Sequence, residues 1–480
     1  MKRQASIATL WSASDALSRQ GLQFATTIVL ARLLVPTDFG LIAMLAIFVG
    51  IASVLADGGF STALIQRQDV DYDDESTVFW CNLAIGTLLA LLLACAGPWI
   101  ADFYGQPRLR AITAVMSLVV LAGALGAIHF ALLVKQLDFR TQALAGGLGA
   151  LLSAAVSITM AALGYGVWAL VVQAVLSVSA TTAFLWWLHP WRPRIVFKRA
   201  SVRKLGGFGA YHLGSTLLES AYTRLYSVLA GRLFGALSLG YYANAETTRQ
   251  LPASFLASLV SRVALPLLSR VQGDPLIARR GVQFSIRVMM FLYAPAMLAI
   301  ATLADLFVEI LYGKQWLPAV PLLRVLALAA LLYPLHMINL HALMAQGHAR
   351  LMFRIELLKK VIGVMLLLVG AEYGIEGIAW SQVVHSVLVL TLNSHYSRKW
   401  LGYGALAQLR DAAAPILAAA ASAILVLPVA TTLDWPVAAK LPVLLLLGGG
   451  AYLALMSAAK TQAWSEFTSI LAQWRTGGAA

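Results

Sequence analysis

Charge is what this sequence has little of. Asp, Glu, Lys and Arg together make up 12% of its 480 residues, against about 25% in ordinary soluble domains. With 60% of residues hydrophobic, no soluble core buries so much apolar surface, and disorder and collagen-like repeats are excluded on the same ground. Cysteine is nearly absent. Cys81 and Cys95 share one apolar stretch, ~21 Å apart along a helix, so they read as packing residues and exclude a disulfide scaffold. Acids are fewer than bases, 21 against 35, for a formal net charge of +14. Missing too are G-x-x-x-x-G-K-S/T, H-E-x-x-H, G-x-S-x-G and G-x-G-x-x-G. ATP hydrolysis, zinc hydrolysis and serine-esterase chemistry therefore have no sequence support; no catalytic residue, metal site or cofactor is expected.

What is present is a series of apolar runs near the ~20 residues that cross a ~30 Å hydrocarbon core. They fall at 12–32, 40–56, 78–100, 111–134, 142–163, 167–188, 207–230, 238–268, 282–308, 319–344, 352–371, 376–396, 411–430 and 437–458. The predicted fold class is an all-α polytopic membrane protein with about fourteen transmembrane helices. Met1-Lys2-Arg3 resembles the start of a signal peptide, but Ser12, Asp15, Arg19 and Gln20 break the following run, so it reads as a retained first helix.

With the N-terminus inside, 21 Lys and Arg of the connecting segments fall on the inner side and 6 on the outer. That bias predicts a multi-pass protein of the bacterial inner membrane with both termini cytoplasmic. The charge thus sets topology and implies no nucleic-acid partner. The acidic run Asp69-Val70-Asp71-Tyr72-Asp73-Asp74-Glu75 is expected as a solvated loop capping the third span. The basic run Arg192–Lys204 is expected chiefly as a topology determinant. Trp186, Trp187 and Trp191 read as interface-belt aromatics, and His336, Asn339 and His341 as interhelical hydrogen-bonding groups.

The sequence carries a weak copy of itself. Phe103-Tyr104-Gly105 recurs as Leu311-Tyr312-Gly313 and Gly164-Tyr165-Gly166 as Glu372-Tyr373-Gly374, both at an offset of 208. Leu30-Ala31-Arg32-Leu33 recurs as Ala230-Gly231-Arg232-Leu233, and Gly40-Leu41 as Gly240-Tyr241, at an offset of 200. Several matches in order point to duplication of a six-span block, and an even block gives parallel repeats related by an axis along the membrane normal. The expected domains are an N-terminal six-helix lobe at 1–190, a basic cytoplasmic linker at 191–206, a C-terminal six-helix lobe at 207–397, and two extra helices with a tail at 398–480. The last two spans lack a polar stripe and are expected to be peripheral.

Polar residues within spans mark function because intramembrane charge is costly. Ser12, Asp15, Arg19, Gln23 and Thr26 lie on one helical face; so do His212, Ser215, Glu219, Tyr222 and Tyr226. At the 200-residue offset Arg19 corresponds to Glu219, so the stripes are in register. Two such stripes are expected to flank an aqueous cavity. Glu246, Arg249 and Gln250 add charge in the eighth span, and Arg224 in the seventh. An arginine fork stays charged and holds phosphate oxygens bidentately, so these arginines suit an anionic head group.

The blocks Arg32-Leu33-Leu34-Val35-Pro36-Thr37-Asp38-Phe39-Gly40-Leu41, Ala63-Leu64-Ile65-Gln66-Arg67, Ile100-Ala101-Asp102-Phe103-Tyr104 and Gly164-Tyr165-Gly166-Val167-Trp168-Ala169-Leu170-Val171 resemble bacterial polysaccharide flippases. These are the Wzx-like, O-antigen and exopolysaccharide transporters of the multidrug/oligosaccharidyl-lipid/polysaccharide superfamily. The resemblance implies two lobes around a V-shaped cavity and a non-enzymatic carrier of undecaprenyl-pyrophosphate-linked oligosaccharide working by alternating access. It implies Arg19, Arg224 and Arg249 as pyrophosphate-binding candidates. Asp15, Gln23, His212, Glu219, Tyr222 and Glu246 are cavity or ion-coupling candidates, with H+ or Na+ as the coupling ion. The implied partners are the lipid-linked glycan, the bilayer and a glycan polymerase or export machinery. The rival readings are a cation-coupled multidrug antiporter of the same superfamily and a membrane glycan polymerase or ligase.

Overall fold

A backbone surrounded by hydrocarbon must satisfy its own hydrogen bonds, and a chain this apolar does so as helices. The computed structural model describes residues 20–67, 69–259, 275–345, 349–432 and 434–475, and among these there are eighteen α-helices and no strand. Ten helical stretches among the described residues are long and apolar enough to span a membrane, and the protein is a multi-pass membrane protein. They coincide with ten of the fourteen expected runs. The runs expected at 207–230 and 238–268 fall in the helix Arg199–Leu259, and 352–371 in the helix Ala349–Ala371. Their charged and polar residues dilute the apolar character. The first eight residues of 12–32, and 238–268 beyond residue 259, lie outside the described residues.

The chain forms two compact units, Met1–Gly240 and Tyr241–Ala480. In the first, α1 (20–33), α2 (Pro36–Asp57), the short α3 (Phe60–Gln66), α4 (Tyr72–Cys95), α5 (Gly97–Tyr104), α6 (Leu109–Lys135), α7 (Phe139–Ala162) and α8 (Val167–Leu188) precede α9 (Arg199–Leu259). α7 packs on α8, α6 on both α4 and α8, and α2 on α4 and α6. Helices in lipid gain little from apolar burial, so small residues that allow close approach hold them together. A Cβ on Gly126 of α6 would sit 2.6 Å from Thr182 Oγ1 of α8.

α9 is two helices joined at Gly235, whose φ of 77° and ψ of 179° are open to glycine without steric cost. Just beyond the joint, α9 crosses α2 at backbone contact. A Cβ on Gly40 would stand 1.7 Å from the Ala236 carbonyl oxygen, and one on Gly240 2.0 Å from that of Pro36.

The repeat is visible in the breaks. α1 separates from α2 at 34–35 and α9 is broken at 235, an offset of 200. Gly105 (φ 64°) closes α5, and Gly313 (φ 95°) closes α11 (Ala304–Tyr312); Gly166 (φ 57°) opens α8, and Gly374 (φ 82°) opens α15 (Gly374–Leu401). Both pairs are 208 apart. Two expected continuous spans are corrected: 78–100 breaks at Ala96, between α4 and α5, and 282–308 breaks at Leu303, between α10 (Pro275–Thr302) and α11.

The second unit continues from α11 through a 3-10 turn, Lys314–Ala319, to α12 (Val320–Ala330), α13 (Tyr333–Ala345), α14 (Ala349–Ala371), α15, α16 (Ala405–Thr432), α17 (Val437–Ala458) and α18 (Gln462–Arg475). α10 packs on α16, α12 and α13, and α15 on α14 and α12. A reciprocal amide pair fastens the interior. Asn339 Nδ2 donates to Gln408 Oε1 at 2.8 Å, Gln408 Nε2 donates back to Asn339 Oδ1 at 2.9 Å, and Ser397 Oγ donates to the same oxygen. Asn339 is interhelical as expected, and His336 Nε2 lies 3.0 Å from Ser386 Oγ of α15. His341 differs: its Nδ1 meets Met337 O of its own helix at 2.7 Å. α16 is less peripheral than its sequence suggests, because Asp411 accepts from Tyr403 Oη at 2.6 Å and pairs with Arg287 of α10 at 3.5 Å.

The acidic run and the basic linker, read separately from the sequence, meet in the first unit. Asp71 caps α4, its Oδ1 accepting from Asp74 N at 2.6 Å. The linker crosses this helix end: Tyr72 Oη donates to Arg192 O at 2.6 Å and Trp80 Nε1 to Arg194 O at 2.8 Å. Lys198 reaches Asp73 at 2.7 Å, and Lys204 reaches Asp74 at 3.0 Å. Trp191 is buried against Phe60, Phe79 and Leu205 with its Nε1 donating to Glu75 Oε2 at 2.8 Å; it is a core residue of the linker and not an interface-belt aromatic. The hydrogen bond to Asp73 holds the Lys198 ammonium above its ordinary range, and that to Asp74 does the same for Lys204. A hydrogen bond from its own backbone, and then Lys204, hold the Asp69 carboxyl below its ordinary range.

A raised lysine contributes below its unfolded pKa and loses the contribution as pH climbs above it; a lowered aspartate contributes above its unfolded pKa and loses it as pH falls. The clamp is therefore fully formed at neutral pH, and because Lys198, Lys204 and Asp73 remain accessible to solvent it is sensitive to salt. Asp73→Asn combined with Asp74→Asn is expected to speed tryptic cleavage between 192 and 204 several-fold, because the contacts of both lysines are weakened together. High salt should do the same to the native chain; SDS-gel time courses measure both. For the glycine crossing, Gly40→Ala should lower the thermal midpoint and membrane yield by overpacking of about 1–3 kcal/mol. Gly21→Ala, where a Cβ meets nothing within 4 Å, should leave both unchanged or improved.

Candidate functional site

The expected site residues divide between the units. In the first, Asp15 and Arg19 lie outside the described residues, as does the His212 side chain. Gln23 is exposed on α1, where Thr26 on the same face is buried with its hydroxyl turned back to Leu22 O at 2.8 Å. Arg224 of α9 is half-buried against α2: a Cβ on Gly50 would lie 2.8 Å from its Nε. The absence of a side chain at Gly50 makes room for the guanidinium. Glu219 is exposed, and Tyr222 stands edge-on to Tyr226 at 6.2 Å between ring centres. Along this arm of α9, Ser215 and Glu219 are exposed and Tyr226 is buried, while Arg224 lies off their face, tucked against α2.

In the second unit the structure builds a constellation around Glu246 and Arg249. One turn apart on α9, they pair through both guanidinium edges: Arg249 Nε donates to Glu246 Oε2 at 3.1 Å and its Nη2 to Oε1. Gln250 Nε2 donates to the same carboxylate at 2.9 Å. The side chains are 17% and 23% exposed, open enough for a ligand to reach and dry enough for the charges to matter. Three tyrosines on other helices or turns surround the pair. Tyr242, one turn earlier, is 2% exposed and accepts from Gln382 Nε2 of α15 at 2.6 Å. Tyr293 of α10 stands 6.4 Å from Tyr333 of α13, ring centre to ring centre, and Arg249 acts electrostatically on both. The Tyr293 hydroxyl is buried without a hydrogen-bond partner among the described residues.

Sequence reasoning found Glu246 and Arg249 and missed Tyr242, Tyr293, Tyr333 and Gln382. Tyrosine is an ordinary residue of apolar spans, and only tertiary packing brings these rings to one charge pair. Chemically, the pair is a carboxylate and a guanidinium that neutralise each other. An arriving anion or a proton on Glu246 separates them, freeing the five N–H donors of Arg249. A second local pair, Lys359 with Glu356 on α14, has Lys359 Nζ 3.5 Å from Asn393 Oδ1, with side chains 11% and 29% exposed. It is closed off by α15, where His385 Nε2 lies 3.0 Å from Lys359 O.

Removing one member of a buried pair strands the other, at about 3–5 kcal/mol where burial is complete and less here. Arg249→Ala and Glu246→Ala are each expected to lower the thermal midpoint of the purified chain. The double variant should recover a substantial part of the loss. Differential scanning fluorimetry of the four proteins measures the coupling, and additive losses would show that the pair carries none.

Residues 29–321 match the family described as polysaccharide biosynthesis protein. The chain is 28% identical over 382 residues to the succinoglycan biosynthesis transport protein ExoT of Rhizobium meliloti (strain 1021), covering 79% of this chain and 77% of that one. It is 30% identical over 304 residues to the teichuronic acid biosynthesis protein TuaB of Bacillus subtilis (strain 168), 63% of each. Its fold is similar to that of the lipid II flippase MurJ in an inward closed conformation, with a TM-score of 0.72 and 15% identity over 94% of this chain and 98% of that one. The family match covers more than half of the chain and includes the sequence blocks from Arg32 to Val171, so the chain belongs to the polysaccharide biosynthesis protein family.

Proposed function

We propose that this protein is a carrier of the bacterial inner membrane that turns a polyprenyl-pyrophosphate-linked oligosaccharide from the cytoplasmic to the periplasmic leaflet. The observation that carries the reading is the similarity, over most of both chains, to a protein named for transport in succinoglycan biosynthesis. The absence of every hydrolase and nucleotide motif sought in the sequence agrees with a step that makes and breaks no bond. The lysine and arginine bias supports cytoplasmic termini in this reading.

In the mechanism, Arg249 exchanges Glu246 for a pyrophosphate oxygen. Arg224, and Arg19 on the first helix, offer further guanidinium groups of the same chemistry. The carboxylate released at Glu246 is the natural seat for H+ or Na+, and its reclosing on Arg249 expels the anion on the far side. Glu219 and Asp15 are alternative seats for the ion; Gln23, His212 and Tyr222 belong to the polar lining. Because inside-negative potential favours outward movement of an anion, the ion biases a step the membrane potential already assists. The polyprenyl chain stays in the bilayer, and a glycan polymerase takes the product.

Deletion of the gene in its host should abolish surface polysaccharide and leave drug resistance unchanged, with the native gene restoring export. Arg249→Ala and Arg224→Ala, compared at equal membrane levels, should each reduce export about tenfold, the scale of one charge-assisted contact. Full export by both would overturn the arginine clamp. Loss of drug resistance with normal polysaccharide would instead favour an antiporter.

A further inference from the structure

A cavity whose lining holds no arginine opens within the first unit. Its volume is about 510 Å³, inside the ~300–1,000 Å³ span of small-molecule sites. It is an open groove lined by the C-terminal part of α2, α3, the middle of α6 and the second half of α8, with Asp57, Ser61, Gly123, Phe130, Ser177 and Thr181 on its wall. Gly123 faces open space, since a Cβ there meets nothing within 4 Å. Asp57 is the one charged residue of the lining.

Three of the four hydroxyl protons of this wall are already committed, those of Ser61, Thr181 and Thr182. Ser61 Oγ donates to Asp57 Oδ1, Thr181 Oγ1 to Ser177 O at 2.7 Å, and Thr182 Oγ1 to Ala122 O at 2.9 Å. What these groups have left is lone pairs. The wall is therefore rich in acceptors, and its single charge is negative. Such a surface repels phosphate and selects an occupant that donates: a neutral polyol or a cation. Volume separates the two, because a bare cation needs a tight shell of oxygens and no group of three or more metal-ligating side chains exists among the described residues. Phe130, 42% exposed, adds an apolar face of the kind on which the C–H side of a sugar ring rests.

We propose that this cavity is a sugar seat, which takes neutral hydroxyl-rich rings of the glycan with Asp57, Ser61 and Thr181 as acceptors and Phe130 as the apolar face. The proposal rests on the functional reading above and deepens it: the anionic linkage and the neutral sugar are held by chemically opposite sites. By the charge bias, the seat lies toward the cytoplasmic end, where substrate enters.

Two measurements test it. In cells, Gly123→Leu builds a side chain into the open space and should cut polysaccharide export about tenfold at unchanged membrane level, and Asp57→Asn about threefold, because the amide oxygen still accepts and only the charge assistance is lost. On the purified full-length chain, a Ser177→Cys substitution in a Cys81→Ser, Cys95→Ser background places a thiol on the wall. The free oligosaccharide repeat, without lipid or phosphate, should slow maleimide labelling of that thiol about threefold or more, and Gly123→Leu should remove the protection. Where export depends on the gene, full export by Gly123→Leu would overturn the seat, and labelling indifferent to the oligosaccharide would overturn it in any case. So would an Asp57→Asn variant that is inactive while Gly123→Leu is normal and labelling responds to Na+ or pH alone, which marks a cation site. If deletion of the gene leaves export intact while the oligosaccharide still protects, the transport reading fails and the seat stands.

Discussion

A charge in hydrocarbon must be met by another charge or by water, and the second unit is laid out around that requirement. Arg249 has Glu246, Lys359 has Glu356, and Arg287 has Asp411 and Glu466. Within each of the first two pairs the partners stand one turn apart on one helix, so each pair forms as its helix forms and opens without breaking an ion pair between helices. The third is different in kind. Arg287 joins α10 to α16 and, through Glu466 at 2.8 Å and Gln462 at 2.6 Å, to α18, whose Phe467 stacks 4.5 Å from Phe291. Burial raises the Glu466 carboxyl above its ordinary range while Arg287 opposes the shift. Opening that bridge means undocking α18. Architecture therefore holds Arg287, and Glu246–Arg249 is left able to change partner.

Close packing does for the first unit what charge pairing does for the second. Gly40, Gly126 and Gly240 lie where any side chain would strike a neighbouring backbone or threonine, so the helix positions are set by what is absent. The α4 capping box and the linker clamp then fix where α9 begins. These contacts are electrostatic and exposed, and they contribute little each. Their number, and the buried Trp191 beneath them, make the linker a docked segment rather than a tether.

Much of this was legible in the sequence because it is periodic or compositional. The apolar runs gave the helices, the offsets of 200 and 208 located the glycine breaks, and Glu246 next to Arg249 was visible as an i, i+3 pair. Other features had no local signal. The acids at 69–75 and the bases at 192–204 are more than a hundred residues apart, and nothing in either run names the other as partner. Tyr293 and Tyr333 look like any aromatic in an apolar span until packing sets them beside Arg249. His341 was misassigned because a histidine bonding its own helix and one bonding a neighbour have the same sequence context. Gln408 and Asp411 sit at the start of a run that otherwise reads as lipid-facing, and two polar residues are too few to mark a stripe.

The Asp57 cavity was invisible for a related reason: its lining is mostly Ser, Thr, Gly and Ala, residues that also make ordinary helix contacts. The difference lies in which way the protons point. A threonine that donates to its own helix carbonyl is satisfied, yet it keeps an acceptor on its outer side. Several such residues around one space make a surface that discriminates by hydrogen-bond direction without needing a precise fit. Sugars of many kinds share outward O–H donors, so a wall of acceptors accommodates different rings while still refusing phosphate. A carrier that must pass a glycan whose rings differ along its length gains more from that tolerance than from a close-fitting site.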